Sequence, residues 1–373
     1  TFAARRLDRG RRLAWFQADT NDPDGLAAAL CPHVARADDW RLRRADVRQA
    51  ILSSGQSAPG PDGVPYLAWR RLGKLAEDTI MEAAMTLSAA DGRAILEQHF
   101  PADAAGNTSF NEAAMVFIPP KTAHDRDGVK FHKPAEVRPL SIVNTDNRLM
   151  ANAYRLRVGP LVAKAVSGMQ RGFLPGRSML QNGVEVDTEM RAASLSEKDP
   201  PAIFFDFAAA FPSLAHDFLH DTLEYLGLPP AFRLFVANLY FGNGCRISVG
   251  GELHGGFSIS AGIRQGCPLS PLLFALTADL LLRRLVVLSL AGLRRRPGHG
   301  HGRLGQGRAG VCASLRRLRL DLGPGAELTE NGARAARRFG ARSSANAAGR
   351  DLPGMGCCRL SGLGRVSGIC ARP

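Results

Sequence analysis

Between residues 286 and 291 the chain changes its chemistry. Residues 286–373 hold 16 Arg, no Lys and four acidic residues, so that they supply +12 of the +14 net charge. They also hold 17 of the 40 Gly and a single aromatic, Phe339, against 24 aromatics before them. A segment so poor in large side chains cannot assemble a core of its own. Two explanations fit such a break: a basic arm, or a coding sequence read in another register. Whatever folds in this chain must therefore be sought upstream of it.

The 373 residues suffice for two or three domains, or one large one. A first residue of Thr rather than Met is expected of a piece of a longer protein. The longest apolar stretch, PLLFALTADLLLRRLVVLSL, carries Asp279, Arg283 and Arg284, so no membrane span is expected. Charges in AARRLDRGRRLAWF argue against a secretory signal. The seven Cys lack metal-ligand spacing and include the adjacent pair Cys357–Cys358, which favours a reduced, intracellular setting.

Helical patterning runs to residue 50, and SSGQSAPGPDGVP (53–65) reads as a loop before a helix over 66–87. AMVFIPPK and VRPLSIV (137–143) read as strands joined by a polar hairpin connection. A helix follows, and QRGFLPGRS (170–178) is a loop. AIFFDF (202–207) has the near-continuous apolar run of a buried strand. Two helices come next, then a hairpin turning at Gly250–Gly251, the loop AGIRQGCPLSP and a long apolar helix from Leu269. Irregular alternation of strands and helices without an internal repeat predicts an α+β fold.

Asp206 is the position with the most chemistry in it. A carboxylate flanked by Phe204, Phe205 and Phe207 is costly to bury without compensation. A divalent cation such as Mg²⁺ would compensate it; capping of the next helix is the plain alternative. FFDFAAAFPSL, followed after some 55 residues by GIRQGCPLSPLLFAL, resembles the reverse transcriptase family, particularly the non-LTR retrotransposon type. APGPDGVP (58–65), VRPLSIVNTDNRLMANAYRLR and QRGFLPGRS resemble further blocks of that family, in the family's order. One such block would say little; five in order leave chance a poor explanation.

The resemblance implies a right-hand polymerase whose fingers and palm, an antiparallel sheet packed with helices, occupy about residues 50–285. It implies that Asp206 is catalytic and binds both Mg²⁺ ions. Phe211 would close off the 2′ side of the sugar, and Gln265 and Gly266 would pack against the nascent base pair. Arg138 would reach the triphosphate, for which a guanidinium fork is well suited. Lys121 and Arg177 are weaker candidates for phosphate contact, level with a solvated surface role. Many relatives carry a second Asp where this chain has Pro212.

Two-metal phosphoryl transfer needs further carboxylates, which the family supplies from a Tyr/Phe-Ala-Asp-Asp hairpin about 20–30 residues after the QG loop. That tetrapeptide is absent here, and GLRRRPGHG (292–300) stands in its place. Written as GGC CTA CGC CGA CGA CCT GGC CAT GG and read one base on, the segment becomes Ala-Tyr-Ala-Asp-Asp-Leu-Ala-Met. The same shift turns LRRLRLDLGPGAELTENG (315–332) and GLGRVSGICARP (362–373) into blocks that resemble the family's later motifs. The organisation expected is thus a helical segment (1–50), fingers with the start of the palm (51–200), palm (201–290) and an out-of-frame, irregular tail (291–373). The activity implied is copying of an RNA template into DNA from a DNA or RNA primer, using dNTPs and Mg²⁺, in the nucleus if the element is eukaryotic. The chain as written is expected to be inactive. The rivals are a non-catalytic nucleic-acid-binding protein with a disordered basic arm, and a group II intron-type enzyme with the same blocks.

Overall fold

The computed structural model describes residues 8–17, 37–121, 123–196 and 210–294. All of these except 190–196 belong to one compact unit. Among the described residues six α-helices precede the first strand: α1 (Arg9–Gln17), α2 (Ala37–Trp40), α3 (Arg44–Leu52), α4 (Tyr66–Leu72), α5 (Lys74–Ser88) and α6 (Gly92–His99). Then come β1 (Ala113–Ile118), β2 (His124–Arg126), β3 (Val129–Phe131), β4 (Arg138–Val143), α7 (Thr145–Ala165) and α8 (Leu180–Ser196). The chain continues through α9 (Ala210–Ser213), α10 (His216–Tyr225), α11 (Pro230–Leu239), β5 (Gly244–Val249), β6 (Glu252–Ser258) and α12 (Ser270–Arg294). The helix expected over 66–87 is two helices, broken at Gly73.

Helix α7 is the post around which the rest packs. Leu149, Met150, Ala153, Tyr154, Val158 and Val162 are buried on more than one of its faces, as befits a helix at the centre of a core. Against it lie α3, α5 and α12. Helix α3 starts where the Arg43 N–H donates to Asp46 Oδ2 (3.0 Å), and it buries Val47, Ala50 and Ile51, an i, i+3, i+4 stripe. The Tyr154 ring lies 4.1 Å from Phe235 and 5.6 Å from Phe232, and Trp40 lies 5.1 Å from Phe232. Burying an aromatic of this size contributes about 3 kcal/mol. The Tyr154 hydroxyl meets Ser88 Oγ at 2.6 Å, which satisfies it inside the core, while burial pushes its pKa up.

The sheet order is β4-β1-β5-β6. Strand β1 runs antiparallel to β4, with Ile118 opposite Arg138 and Ala113 opposite Val143. It runs parallel to β5, with Ala113 opposite Cys245. The sheet is therefore mixed rather than antiparallel, which corrects the expectation. The physical reason is connectivity: β1–β4 and β5–β6 are joined by short antiparallel returns, whereas β1 and β5 are separated by several helices that allow a parallel crossover. The polar connection between β1 and β4 folds on itself as the β2–β3 hairpin, turning at Asp127–Gly128, and β5–β6 turns at Gly250–Gly251. The fold class is α+β, as expected. The strand expected at 202–207 and the tail from 295 lie outside the described residues. Helix α12 runs through the compositional break and ends at Arg294.

Candidate functional site

The loop between β6 and α12 brings three of the expected blocks together. Its Gly262 N–H donates to Leu214 O (2.7 Å) and its Ile263 N–H to Phe211 O (2.9 Å), while Ala261 bridges Ala215. On its other side Gln265 O accepts from the Ser141 N–H of β4 (2.9 Å). Gly266 has φ +115°, and a Cβ there would stand 2.8 Å from Ser141 O, so only Gly permits this approach. The segment that carries Phe211, the Gln265–Gly266 loop and the strand that starts with Arg138 thus form one continuous hydrogen-bonded surface. Arg138 lies three residues before Ser141 on β4 and is exposed.

Phe211 sits in the short helix α9, partly buried, with its ring 6.0 Å from Phe173 and 5.1 Å from Phe274. Pro212 follows it in the same single turn, where a missing N–H costs nothing. Lys121 is exposed three residues past Ile118, the residue opposite Arg138, so both cations lie at one end of the β1–β4 ladder. Arg177 is placed differently. Its guanidinium donates to Gln170 O (2.6 Å) and Val166 O (2.8 Å), and also to Ser167 O and Ala163 O. A fork so engaged clasps the end of α7 to the 170–178 loop. Asp206 lies outside the described residues.

The centre of this surface is a residue the sequence reading passed over. Arg264 is 3% exposed and has no carboxylate partner among the described residues. Its guanidinium donates to Asn243 Oδ1 (2.8 Å), Asn111 Oδ1 (3.1 Å), Asn147 Oδ1 (3.3 Å) and Leu239 O (2.7 Å). Burial lowers its pKa, yet an arginine keeps its proton, and the amide oxygens solvate the charge. The neighbouring His216 Nε2 donates to Gly262 O (2.8 Å), and burial lowers the His pKa, which keeps the ring neutral. The one signal for Arg264 in the sequence was an arginine between Ile263 and Gln265 with no acid nearby.

A second loop, the APGPDGVP block, docks onto the start of α7. Asn144 Oδ1 accepts from the Asp62 N–H (3.2 Å), and Thr145 Oγ1 donates to Val64 O (2.8 Å) while accepting from Trp69 Nε1 (2.8 Å). Arg148 donates to Ala58 O (2.6 Å) and Ser57 Oγ (3.2 Å). At Gly60 a Cβ would fall 2.4 Å from the Asn144 Cα, so the contact is backbone on backbone. Between these partners Asp146 is partly buried, and its pKa is pushed up to about 6 by desolvation, with the nearby Asp62 charge adding to the rise. Four of the five residues from Asn144 to Arg148 thereby hold the loops: Asn144, Thr145 and Arg148 the first, and Asn147, through Arg264, the second.

No group of three His, Cys, Asp or Glu that could hold a metal ion occurs among the described residues. The described part of the surface offers exposed cations, a tightly apposed backbone loop and an aromatic rim, but not a carboxylate set. No described helix is long and apolar enough to cross a membrane.

Residues 123–288 match the family model for reverse transcriptase (RNA-dependent DNA polymerase). The Retrovirus-related Pol polyprotein from type-2 retrotransposable element R2DM of Drosophila melanogaster is 31% identical over 240 residues, 64% of this chain and 20% of that protein. The Pol polyprotein from type-1 retrotransposable element R2 of Nasonia vitripennis is 25% identical over 246 residues, 66% of this chain and 22% of that protein. The transposon TX1 uncharacterized 149 kDa protein of Xenopus laevis is 28% identical over 157 residues, 41% of this chain and 12% of that protein. The chain spans about a fifth or less of the length of these relatives. The family model and the R2 polyproteins agree: residues 123–288 are similar to the reverse transcriptases, of the non-LTR retrotransposon type.

Proposed function

We propose that the chain carries the fingers and part of the palm of a template-directed RNA-to-DNA polymerase, and that as written it cannot complete the reaction. The observation that carries this reading is the Gln265–Gly266 loop held between β4 and the Phe211 segment by main-chain hydrogen bonds. On it, a nascent base pair would stack against the Gly266 backbone, and Phe211 would line the sugar. Arg138, with Lys121 at the same ladder end, would meet the triphosphate with exposed positive charge. Asp206 would be the carboxylate that holds Mg²⁺, and the remaining ligands would be the Asp pair encoded one base out of register at 292–300. The two ions, when bound, would neutralise the attacking and leaving oxygens. RNA template, primer and dNTPs are the partners this reading requires. The family match ends at residue 288, close to the proposed loss of frame.

The test is a primer-extension assay on two chains. As written, the chain should incorporate no dNTP. Restoring the frame by one base just before the codon for Gly292 should bring Mg²⁺-dependent incorporation, and Asp206→Ala should abolish it without altering the fold. Robust incorporation by the unrepaired chain would overturn the proposed inactivity.

A further inference from the structure

Behind the Gln265–Gly266 loop lies a cavity of about 420 Å³ whose lining points to an anion. Its polar wall comes from Ser54, Gly55, Ser57 and Tyr66, and its charge from Arg148 and Arg155 on α7, with no acidic residue in the lining. Arg148, Asn152 and Arg155 stand at i, i+4 and i+7, one face of the helix. Neither arginine forms an ion pair among the described residues, although acids are common elsewhere on this surface. Arg148 is 7% exposed, and its Nε is buried without a hydrogen-bond partner while Nη1 and Nη2 are spent on Ser57 and Ala58. Arg155 is exposed, held by its Nε on Asn152 Oδ1 (2.9 Å), which leaves its terminal nitrogens uncommitted. The loop wall is itself fixed, because Arg70 Nη1 donates to Ser54 O (2.6 Å) and Gly55 O (3.1 Å).

We propose that this cavity binds a phosphate of single-stranded RNA, on the template strand ahead of the nascent pair. The inference rests on the polymerase reading above. Phosphate is the chemistry the lining fits: guanidinium donors, hydroxyls, and no carboxylate to repel it. Two sources of phosphate compete, an RNA backbone and a nucleoside triphosphate. A triphosphate travels with a divalent cation that needs oxygen ligands, and the cavity offers no acid to hold one. Position agrees. Pro268, two residues past Gly266, forms part of the lining, so the cavity shares the loop on which the pair would stack. It also lies beyond the α7 end of β4, whereas Arg138 starts that strand. A strand leaving the pair away from Arg138 would cross this cavity next.

The test measures binding, not synthesis, on the full chain as written. A fluorescent single-stranded RNA oligonucleotide and, separately, dTTP without metal are titrated by anisotropy across a salt series. Arg155→Gln should weaken RNA binding about fivefold at about 0.1 M salt and lower the slope of log K against log salt by about 0.7, the loss of one single-strand phosphate contact. Arg126→Gln, on β2 and equally exposed, should leave RNA binding within about twofold, and dTTP binding should not respond to Arg155→Gln. Unchanged RNA binding in Arg155→Gln overturns the proposal. So does an equal loss in Arg126→Gln, or a loss confined to dTTP. Because no catalysis is read, failure of the frame-repaired chain to incorporate dNTP sinks the polymerase reading alone and leaves this result standing.

Discussion

Two loops meet the first turn of α7, and at each joint a charge is withdrawn from water, yet the two charges respond in opposite ways. Where the APGPDGVP loop docks, the charge is an acid, Asp146. It has one hydrogen bond from the Asn147 N–H (2.5 Å) and a neighbouring acid, Asp62, and its pKa rises to about 6. Where the Gln265–Gly266 loop docks, the charge is a base, Arg264, which keeps its proton among three asparagine oxygens and a main-chain carbonyl. A carboxylate can escape the cost of burial by taking a proton near neutrality, whereas an arginine cannot escape by losing one. One joint is therefore sensitive to pH and the other is sensitive to the loss of its amide cage.

The strongest way to break the comparison is Arg264→Leu. It strands the Oδ1 atoms of Asn147 and Asn243, leaves Asn111 Oδ1 with only the Asn147 amide, and should cost about 4 kcal/mol, read by denaturant unfolding and roughly independent of pH. A loss below about 1 kcal/mol would mean that the amide cage contributes little net energy.

Next in size is Asp146→Asn, whose effect must depend on pH. The folded-state pKa lies above the unfolded value of 3.8, so Asp146 stabilises the fold fully below about pH 4 and loses that contribution as pH rises through about 6. The substitution should thus be near neutral at about pH 4 and stabilising by about 3 kcal/mol at about pH 8. Two partly buried histidines of α10 work the other way. Burial lowers the pKa of His216 and of His220, so their contribution is present above about pH 6.5 and falls as pH drops below it. Comparing Asp146→Asn with the parent cancels this histidine background. A pH-independent difference would refute the assignment of the raised pKa to Asp146.

The smallest effect sharpens the picture of the first joint. Thr145→Val removes one hydroxyl that both donates to Val64 O and accepts from Trp69 Nε1, and should cost about 1 kcal/mol. It should also raise hydrogen exchange at 58–65 while leaving the Gly262 and Ile263 amides protected.

Local pattern made much of this architecture legible. Strands β1, β4, β5 and β6, the turn at Gly250–Gly251 and the helices flanking them follow from alternation, helical period and turn residues. The blocks that hold Arg138, Phe211 and Gln265–Gly266 are joined by main-chain hydrogen bonds. What stayed hidden depends on partners distant in sequence. Nothing in AAMVFI says that its second neighbour is a strand some 130 residues later running in the same direction. Arg264 reads as one more cation in a basic chain and Arg177 as a candidate for phosphate contact, because a carbonyl cage has no sequence signature. The hub at Asn144–Arg148 lies in a block legible only by its resemblance to the family, and its side chains are largely spent holding two loops together.

The bond from Ser141 to Gln265 has one more consequence, and it concerns what the sheet can join. Among the described strands β4 is an outer one, and an outer strand invites pairing with any extended chain. On its outward side Pro139 has no N–H to give and the Ser141 N–H is already taken by the loop. That border is closed to strand addition. The opposite border, β6, is exposed along almost its whole length and carries Gly255 and Gly256, which specify register weakly. Among the described residues the sheet is open to extension from one side only, along Glu252–Ser258.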